Sequence, residues 1–133
     1  MKTKRREKRT HLPKRLRPKS KVWLELGGRP VFGDGKAELL EEVGNSGSLT
    51  AAAAALGMSY RGLWQRLRDM ESRLGVELVA RQAGGRGGGG AQLTENARTL
   101  LRRYRAFRRG INGMVDARFR KIFGRRPPIA PAC

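Results

Sequence analysis

The sequence has few of the residues that build disulfides, metal sites or catalytic centres. It contains one cysteine, Cys133, and one histidine, His11, so neither an internal disulfide nor a zinc site is expected, and a reducing compartment suits the chain. We expect no cofactor. No apolar run approaches the roughly 20 residues of a membrane span, and no signal peptide is recognisable, so we expect a cytoplasmic protein without a membrane partner. Neither a nucleophile beside a base nor a pocket-like pair of carboxylates can be picked out, so we expect no enzymatic activity.

Positive charge is what the sequence has in excess. Lys and Arg total 30 against 11 Asp and Glu, which gives a formal net charge of +19. Residues 1–21 carry +10 of it and residues 95–133 carry +9, whereas residues 22–94 are neutral. This balance favours a polyanionic partner, and nucleic acid is the default. We interpret residues 1–21 as a disordered arm that lies along phosphates whatever the base sequence, the alternative being a solvated tail.

The neutral segment begins with a predicted β-hairpin and a helix. Apolar and polar residues alternate over residues 22–26, a turn follows at residues 27–30, and Val31-Phe32 is the predicted return strand. Residues 36–45 are predicted to form a helix capped by Asp34. The helix would bury Leu39, Leu40 and Val43 and expose Glu38, Glu41 and Glu42.

Residues 47–94 are the most informative part of the sequence. Ser48 is a suitable cap for an Ala-rich helix over residues 49–56. The Gly57-Met58-Ser59 turn follows at once, with Gly57 suited to the left-handed conformation and Ser59 to capping a second helix up to Leu74. This order is that of a helix-turn-helix, whose second helix enters the DNA major groove.

The second helix of this motif has an apolar and a polar face. Its predicted core face consists of Leu63, Leu67, Met70 and Leu74, and its opposite face of Arg61, Gln65, Arg68 and Ser72. Arg and Gln make bidentate contacts to guanine and adenine, and the N-terminal part of a recognition helix usually faces the bases. We therefore expect Arg61 and Gln65 to read bases. Tyr60 and Trp64 lie at the boundary, where either could pack on the core or brace against the backbone, and packing is favoured for Trp64.

Two predicted strands, residues 76–80 and residues 91–93, flank a loop over residues 81–90 that contains six glycines and two arginines. The G-x-G-x-x-G spacing in this loop is not a dinucleotide site, because a strand follows it instead of a helix. The layout is typical of a wing, in which Arg81 and Arg86 would contact the DNA backbone or the minor groove. The candidate DNA-contacting residues are thus Ser59, Tyr60, Arg61, Gln65, Arg68, Arg81 and Arg86.

A long helix, capped by Thr94, is predicted over residues 95–123. Apolar residues recur along it at spacings of three and four, as in a coiled-coil seam: Ala97, Leu100, Tyr104, Phe107, Ile111 and Met114. One small domain could cover only the first two turns, so we predict a homodimer through residues 95–123. Five arginines off the seam are expected to repel one another until DNA or counter-ions neutralise them: Arg102, Arg103, Arg105, Arg108 and Arg109. A disordered tail over residues 124–133 would follow.

The chain resembles the DNA-binding domain of the ModE-type molybdate-responsive transcription regulators, which are relatives of the LysR-type domains. The resemblance covers about residues 22–107, and three segments carry it: VWLELGGRPVFGDGKAELLEEV, GSLTAAAAALGMSYRGLW and GGRGGGGAQLTENARTLLRRY. It implies a winged helix-turn-helix dimer on a palindromic operator and a role in regulating molybdate-related genes. Full-length members also carry C-terminal oxyanion-binding domains, which nothing after Phe123 could form. We therefore expect either a stand-alone family member that binds DNA constitutively or one that works with a separate effector-binding protein.

The predicted fold class is mainly α with small β elements: a winged helix-turn-helix with a long C-terminal dimerisation helix. The predicted parts are a basic arm (1–21), a DNA-binding domain (22–94), a dimerisation helix (95–123) and a tail (124–133). The predicted function is that of a sequence-specific regulator bound to double-stranded DNA. The alternative is a non-specific architectural DNA- or RNA-binding protein.

Overall fold

A computed structural model of the chain describes residues 11–81 and 90–124. The elements run in the order β1 (Trp23–Leu26), β2 (Arg29–Gly33), α1 (Asp34–Ser46), α2 (Leu49–Leu56), α3 (Tyr60–Leu74), β3 (Val79–Arg81), β4 (Ala91–Leu93) and α4 (Glu95–Phe123). β1 pairs with β2 and β3 with β4, both antiparallel. The predicted fold class, mainly α with small β elements, is confirmed. Among the described residues, 21–109 form one compact unit, and residues 11–20 with 110–124 form another.

The turn between β1 and β2 is shorter than the one predicted over residues 27–30. Only Gly27 and Gly28 lie between the strands, with φ angles of 59° and 78°. A two-residue hairpin turn with positive φ at both positions strongly favours glycine. β2 therefore begins at Arg29, two residues before the predicted strand.

The core of the larger unit is formed by α1, α2 and α3, with contributions from the strands and the first half of α4. The predicted apolar stripe of α1 is confirmed, since Leu39, Leu40 and Val43 are buried. Tyr104 of α4 is only 2% exposed, and its ring meets Phe32 edge to face with centroids 5.0 Å apart. Its assignment to an intermolecular seam was therefore wrong, because this chain's own core already buries it. Ala97, in the first turn, is also buried, as expected for the two turns that the chain's own domain covers.

Ion pairs join α1 to α4. The predicted N-cap role of Asp34 is wrong: Gly33 occupies the cap position without a side-chain hydrogen bond, and Asp34 is the first helical residue. The Asp34 carboxylate accepts hydrogen bonds from the Tyr104 hydroxyl and from Arg108, whose Nη2 lies 2.9 Å away. Arg105 donates to Glu41 from Nε over 2.7 Å. Arg105 and Arg108 are thus neutralised within the chain. The predictions that these two arginines repel their neighbours and that Glu41 faces solvent without a partner are wrong.

The Asp34 contacts shift two pKa values. The hydrogen bonds from Arg108 and then from Tyr104 lower the pKa of Asp34 below its ordinary value, because they stabilise the ionised carboxylate. Burial, and next the hydrogen bond to Asp34, raises the pKa of Tyr104 to about 12. The pair therefore consists of an ionised Asp34 and a protonated Tyr104 over the whole neutral range.

Candidate nucleic-acid interface

Two caps and one glycine fix the start of α2 and its connection to α3, as predicted. Ser48 Oγ accepts a hydrogen bond from the Ala51 amide at the start of α2, and Ser59 Oγ accepts one from the Gly62 amide at the start of α3. Gly57 ends α2 with φ 67°, in the left-handed region. These local interactions set where α2 ends and α3 begins.

The inner face of α3 determines which side chains point outwards. Leu63, Leu67 and Met70 are each at most 1% exposed, and they hold the helix on the core. The opposite face is exposed along its whole length, and its members are the predicted Arg61, Gln65, Arg68 and Ser72. The division of α3 into a core face and a free polar face is therefore confirmed.

The first turn of α3 presents exposed polar and aromatic side chains. Tyr60 is 51% exposed, and Arg61, also exposed, has no hydrogen bond or ion pair to any described residue. Gln65 differs, because its Nε2 donates to Asp69 Oδ1 over 3.1 Å. Ser59 uses its oxygen as the cap acceptor, and its hydroxyl hydrogen remains available to a ligand.

Trp64, Arg68, Arg81 and Glu71 form a second group beside the exposed face of α3. The Arg68 and Arg81 guanidinium carbons lie 5.2 and 5.6 Å from the centroid of the Trp64 ring, within the range of cation–π attraction. Trp64 is half-buried and packs on the core, as favoured from the sequence. Arg81 also pairs with Glu71, 3.7 Å from Nη2 to Oε1.

The predicted wing differs from the structure at its first strand. β3 begins at Val79, not at residue 76. At this point Glu71 Oε2 accepts the amide hydrogens of Leu78 (2.9 Å) and Val79 (3.4 Å). Arg81 is the last residue of β3 and pairs with Ala91, so it lies in a strand, not in the loop. Arg86 and most of the glycine-rich loop lie outside the described residues.

Sequence reasoning missed a basic cavity on the other flank of α3. It measures about 340 Å³, and its lining includes Lys36 of α1 and Arg66, Asp69 and Arg73 of α3. Burial, and next the charge of Arg73, lowers the pKa of Lys36. The seven-residue spacing of Arg66 and Arg73 was the available signal. That Lys36 joins them depends on how α1 crosses α3.

Part of α4 exposes large apolar side chains. Met114 is 74% exposed and Phe107 47%, and Ile122 and Phe123 are exposed as well. Phe119 and Phe123 stack with their centroids 4.5 Å apart. Phe107 and Met114 are members of the predicted seam that the chain's own core does not cover.

The described residues bring together no group of three or more His, Cys, Asp or Glu side chains that could hold a metal ion. In the same part of the chain, the search for a helix long and apolar enough to cross a membrane found none.

Comparison with known proteins gives a family match and several relatives. The family model of the bacterial regulatory helix-turn-helix proteins of the lysR family matches residues 36–98. The molybdenum-pterin-binding protein MopB of Rhodobacter capsulatus is 35% identical over 96 residues, which are 72% of this chain and 35% of that protein. The molybdenum transport protein ModE of Azotobacter vinelandii is 40% identical over 76 residues, 57% of this chain and 28% of that protein. The DNA-binding transcriptional dual regulator ModE of Escherichia coli K12 is 36% identical over 69 residues, 52% and 26% of the two chains.

The chain spans about a third of the length of these relatives, or less. Among solved structures, the CbnR DNA-binding domain in complex with DNA is similar with a TM-score of 0.48 and 23% identity, over 65% of this chain and 93% of that one. Full-length LysG from Corynebacterium glutamicum is similar with a TM-score of 0.48 and 22% identity, over 65% and 29%.

Proposed function

Residues 36–98 of this chain are a helix-turn-helix domain of the lysR family of bacterial regulatory proteins, and on that premise we propose that the chain is a sequence-specific DNA-binding transcriptional regulator. The observation that carries the proposal is the outer face of α3. It is exposed along its length, and it belongs to a helix whose position is set by a capped turn and a buried apolar face. A helix held in this way can enter a major groove without refolding.

In the proposed complex, α3 reads bases with Arg61 and Gln65, while Ser59 and Tyr60 contact the sugar-phosphate backbone beside the first turn of the helix. Arg68 and Arg81 bind phosphates, and Arg86 binds the backbone or the minor groove. This division follows from chemistry, since Arg and Gln make bidentate contacts to base edges and guanidinium groups also match phosphate geometry. The basic arm over residues 1–21 adds contacts that do not depend on base sequence.

We propose that the regulated genes concern molybdenum. The support is the similarity to relatives whose names refer to molybdenum transport and to molybdenum-pterin binding, together with a relative named a DNA-binding transcriptional dual regulator. The chain spans about a third of these proteins or less, and a separate effector-binding protein is a further proposed partner. DNA is the partner, so the proposed location is the cytoplasm.

We further propose that two copies associate through α4. The support is the set of large apolar side chains exposed on this helix, Phe107 and Met114 among them, which a second copy would remove from water. A two-fold dimer would bind an operator with two-fold symmetry. The proposed parts of the chain are the arm (1–21), the DNA-binding domain (22–94), the dimerisation helix (95–123) and the tail (124–133).

Genome-wide mapping of bound sites, followed by footprinting on one of them, tests the function. The expected result is a palindromic site that lies beside genes of molybdenum uptake or molybdoenzymes and is protected symmetrically. Protection without two-fold symmetry, or affinity that ignores base sequence, would contradict the proposal. That second result would favour a non-specific architectural DNA- or RNA-binding protein, and direct competition between duplex DNA and RNA would then separate these two.

A further inference from the structure

One indole ring brings together cations from two elements of the fold. Arg68 belongs to α3, like Trp64 itself, whereas Arg81 is the last residue of β3. Both guanidinium carbons lie within 6 Å of the Trp64 centroid, at 5.2 and 5.6 Å. Two like charges at such positions repel each other, so a further group is needed to keep Arg81 in place.

Glu71 is that group, and it acts on β3 at both ends. Its side chain is 14% exposed. One carboxylate oxygen accepts the amide hydrogens of Leu78 and Val79 at the start of the strand. The other lies 3.7 Å from Arg81 Nη2 at the end of the strand. A single carboxylate of α3 therefore contacts both the backbone at the start of β3 and the guanidinium at its end.

The pair with Glu71 leaves Arg81 able to bind a second anion. A separation of 3.7 Å is an ion pair without a hydrogen bond, and the Arg81 side chain is still 32% exposed. A guanidinium carries five N–H donors in a planar fork. Glu71 thus restricts where the group lies without occupying its donors.

We propose that Glu71 is a positioning residue for DNA binding: it holds Arg81 on the Trp64 ring beside Arg68, so that the two guanidinium groups bind the phosphate backbone as a pair. The inference rests on the proposed DNA-binding function and adds Glu71 and Trp64 to the surface that carries it. Without Glu71, Arg81 would have to lose more conformational freedom on reaching a phosphate, and part of the binding free energy would be lost.

The direction in which one substitution changes the DNA affinity separates this role from a general charge effect. Glu71→Gln removes a negative charge from a DNA-binding surface, which by itself strengthens the attraction of DNA. Positioning predicts the opposite result, weaker binding. Glutamine also keeps an oxygen that can accept the Leu78 and Val79 amides, so the backbone of β3 retains its partner.

The experiment measures binding of the full chain to a labelled duplex of arbitrary sequence, and to a mapped site, over a series of salt concentrations. The proteins are the wild type, Glu71→Gln, Arg81→Ala, the double variant, and Glu77→Gln as matched control. Glu77 is an exposed glutamate six residues along the chain whose side chain has no hydrogen bond or ion pair to the described residues. Thermal unfolding followed by circular dichroism reports whether each variant is folded.

We expect Arg81→Ala to weaken binding about tenfold on both duplexes, the loss of one charged hydrogen-bonding contact, and to reduce the salt slope by about 1. Glu71→Gln is expected to weaken binding several-fold, and the double variant to bind no more weakly than Arg81→Ala alone. Glu77→Gln is expected to bind as tightly as the wild type or slightly more tightly.

Three results would overturn the inference. One is Glu71→Gln binding as tightly as Glu77→Gln, and another is a double variant in which the two losses multiply. The third is an Arg81→Ala variant whose DNA affinity has the same salt slope as that of the wild type. This result would overturn the inference even if Glu71→Gln does not fold. A wild-type chain that binds no duplex would instead remove the proposed function, so the two failures are distinguishable.

Discussion

Arg61 and Gln65 lie one helical turn apart on the exposed face of α3, and their side chains differ in how far they are held in place before DNA binds. Gln65 is already oriented by its hydrogen bond to Asp69, so its amide loses little freedom when it meets a base. Arg61 has no partner among the described residues and must be ordered on binding, which costs conformational entropy. Ordering of the side chain on binding should thus cost more free energy for Arg61 than for Gln65.

Replacing Arg61 by alanine is expected to cost about 1–3 kcal/mol of binding free energy on a mapped site and to relax the preference at one base position. Removal of a bidentate contact to a single base pair is the physical reason. Fluorescence anisotropy on a set of duplexes with single base changes measures both effects. Arg29→Ala, at the exposed hairpin turn, controls for loss of one positive charge. Equal losses on all duplexes would show that Arg61 binds backbone and not bases.

At the scale of the elements, hydrogen bonds and ion pairs join α1 to the first half of α4. Asp34 lies 70 residues from Tyr104 and 74 from Arg108 in the sequence, yet the three side chains form one hydrogen-bonded group. Glu41 and Arg105 add a second link between the same helices. The first half of α4 is therefore held on the DNA-binding body by charge as well as by the burial of Leu101 and Tyr104.

The lowered pKa of Asp34 predicts how stability depends on pH. A carboxyl whose pKa is lower in the folded than in the unfolded chain stabilises the fold above the ordinary value of 3.8, and this contribution disappears as the pH falls through the folded pKa. Asp34→Asn should thus lower the urea midpoint at pH 7 and have a smaller effect at a pH well below 3.8. Glu38→Gln, an exposed glutamate of the same helix, serves as the control. An effect of Asp34→Asn that is equal at both pH values would contradict the prediction.

For the whole molecule, the distribution of charge and of exposed apolar surface separates three tasks. The segment that contains α1, α2 and α3 is neutral, whereas the two ends of the chain hold nearly all the excess positive charge. In the proposed complex the neutral part selects the sequence, the basic ends bind phosphates, and the apolar side chains of α4 bind a second copy. Because affinity and specificity then depend on different residues, each can be changed separately.

Met114→Glu is expected to convert a dimer into a monomer, because it places a charge within the apolar surface that the second copy would bury. Sedimentation equilibrium measures the change, and binding to a two-fold site should become weaker by at least about tenfold as the linkage of two half-sites is lost. Arg109→Glu, which places the same carboxylate on the opposite, exposed face of α4, is the control for the sedimentation measurement. A wild-type chain that is monomeric at binding concentrations would contradict the proposed dimer.

The features that the sequence determined by itself are those set by neighbouring residues. The caps Ser48, Ser59 and Thr94, the left-handed Gly57 and the buried spacing of Leu63 and Leu67 depend only on local backbone geometry and helical periodicity, and the structure confirms each of them. The element types follow from the same local rules. The family resemblance, carried by contiguous segments, could be recognised for the same reason.

Only the tertiary structure decided which charged side chains remain available for a partner. From periodicity alone, Tyr104 was placed on a dimer seam, and Arg105 and Arg108 among arginines that repel one another. Glu71 was assigned no role. Each of these four residues meets a partner on another element: Asp34 or Glu41 on α1 for the three of α4, and β3 for Glu71. Contacts between distant segments depend on how the helices pack, which no local pattern contains.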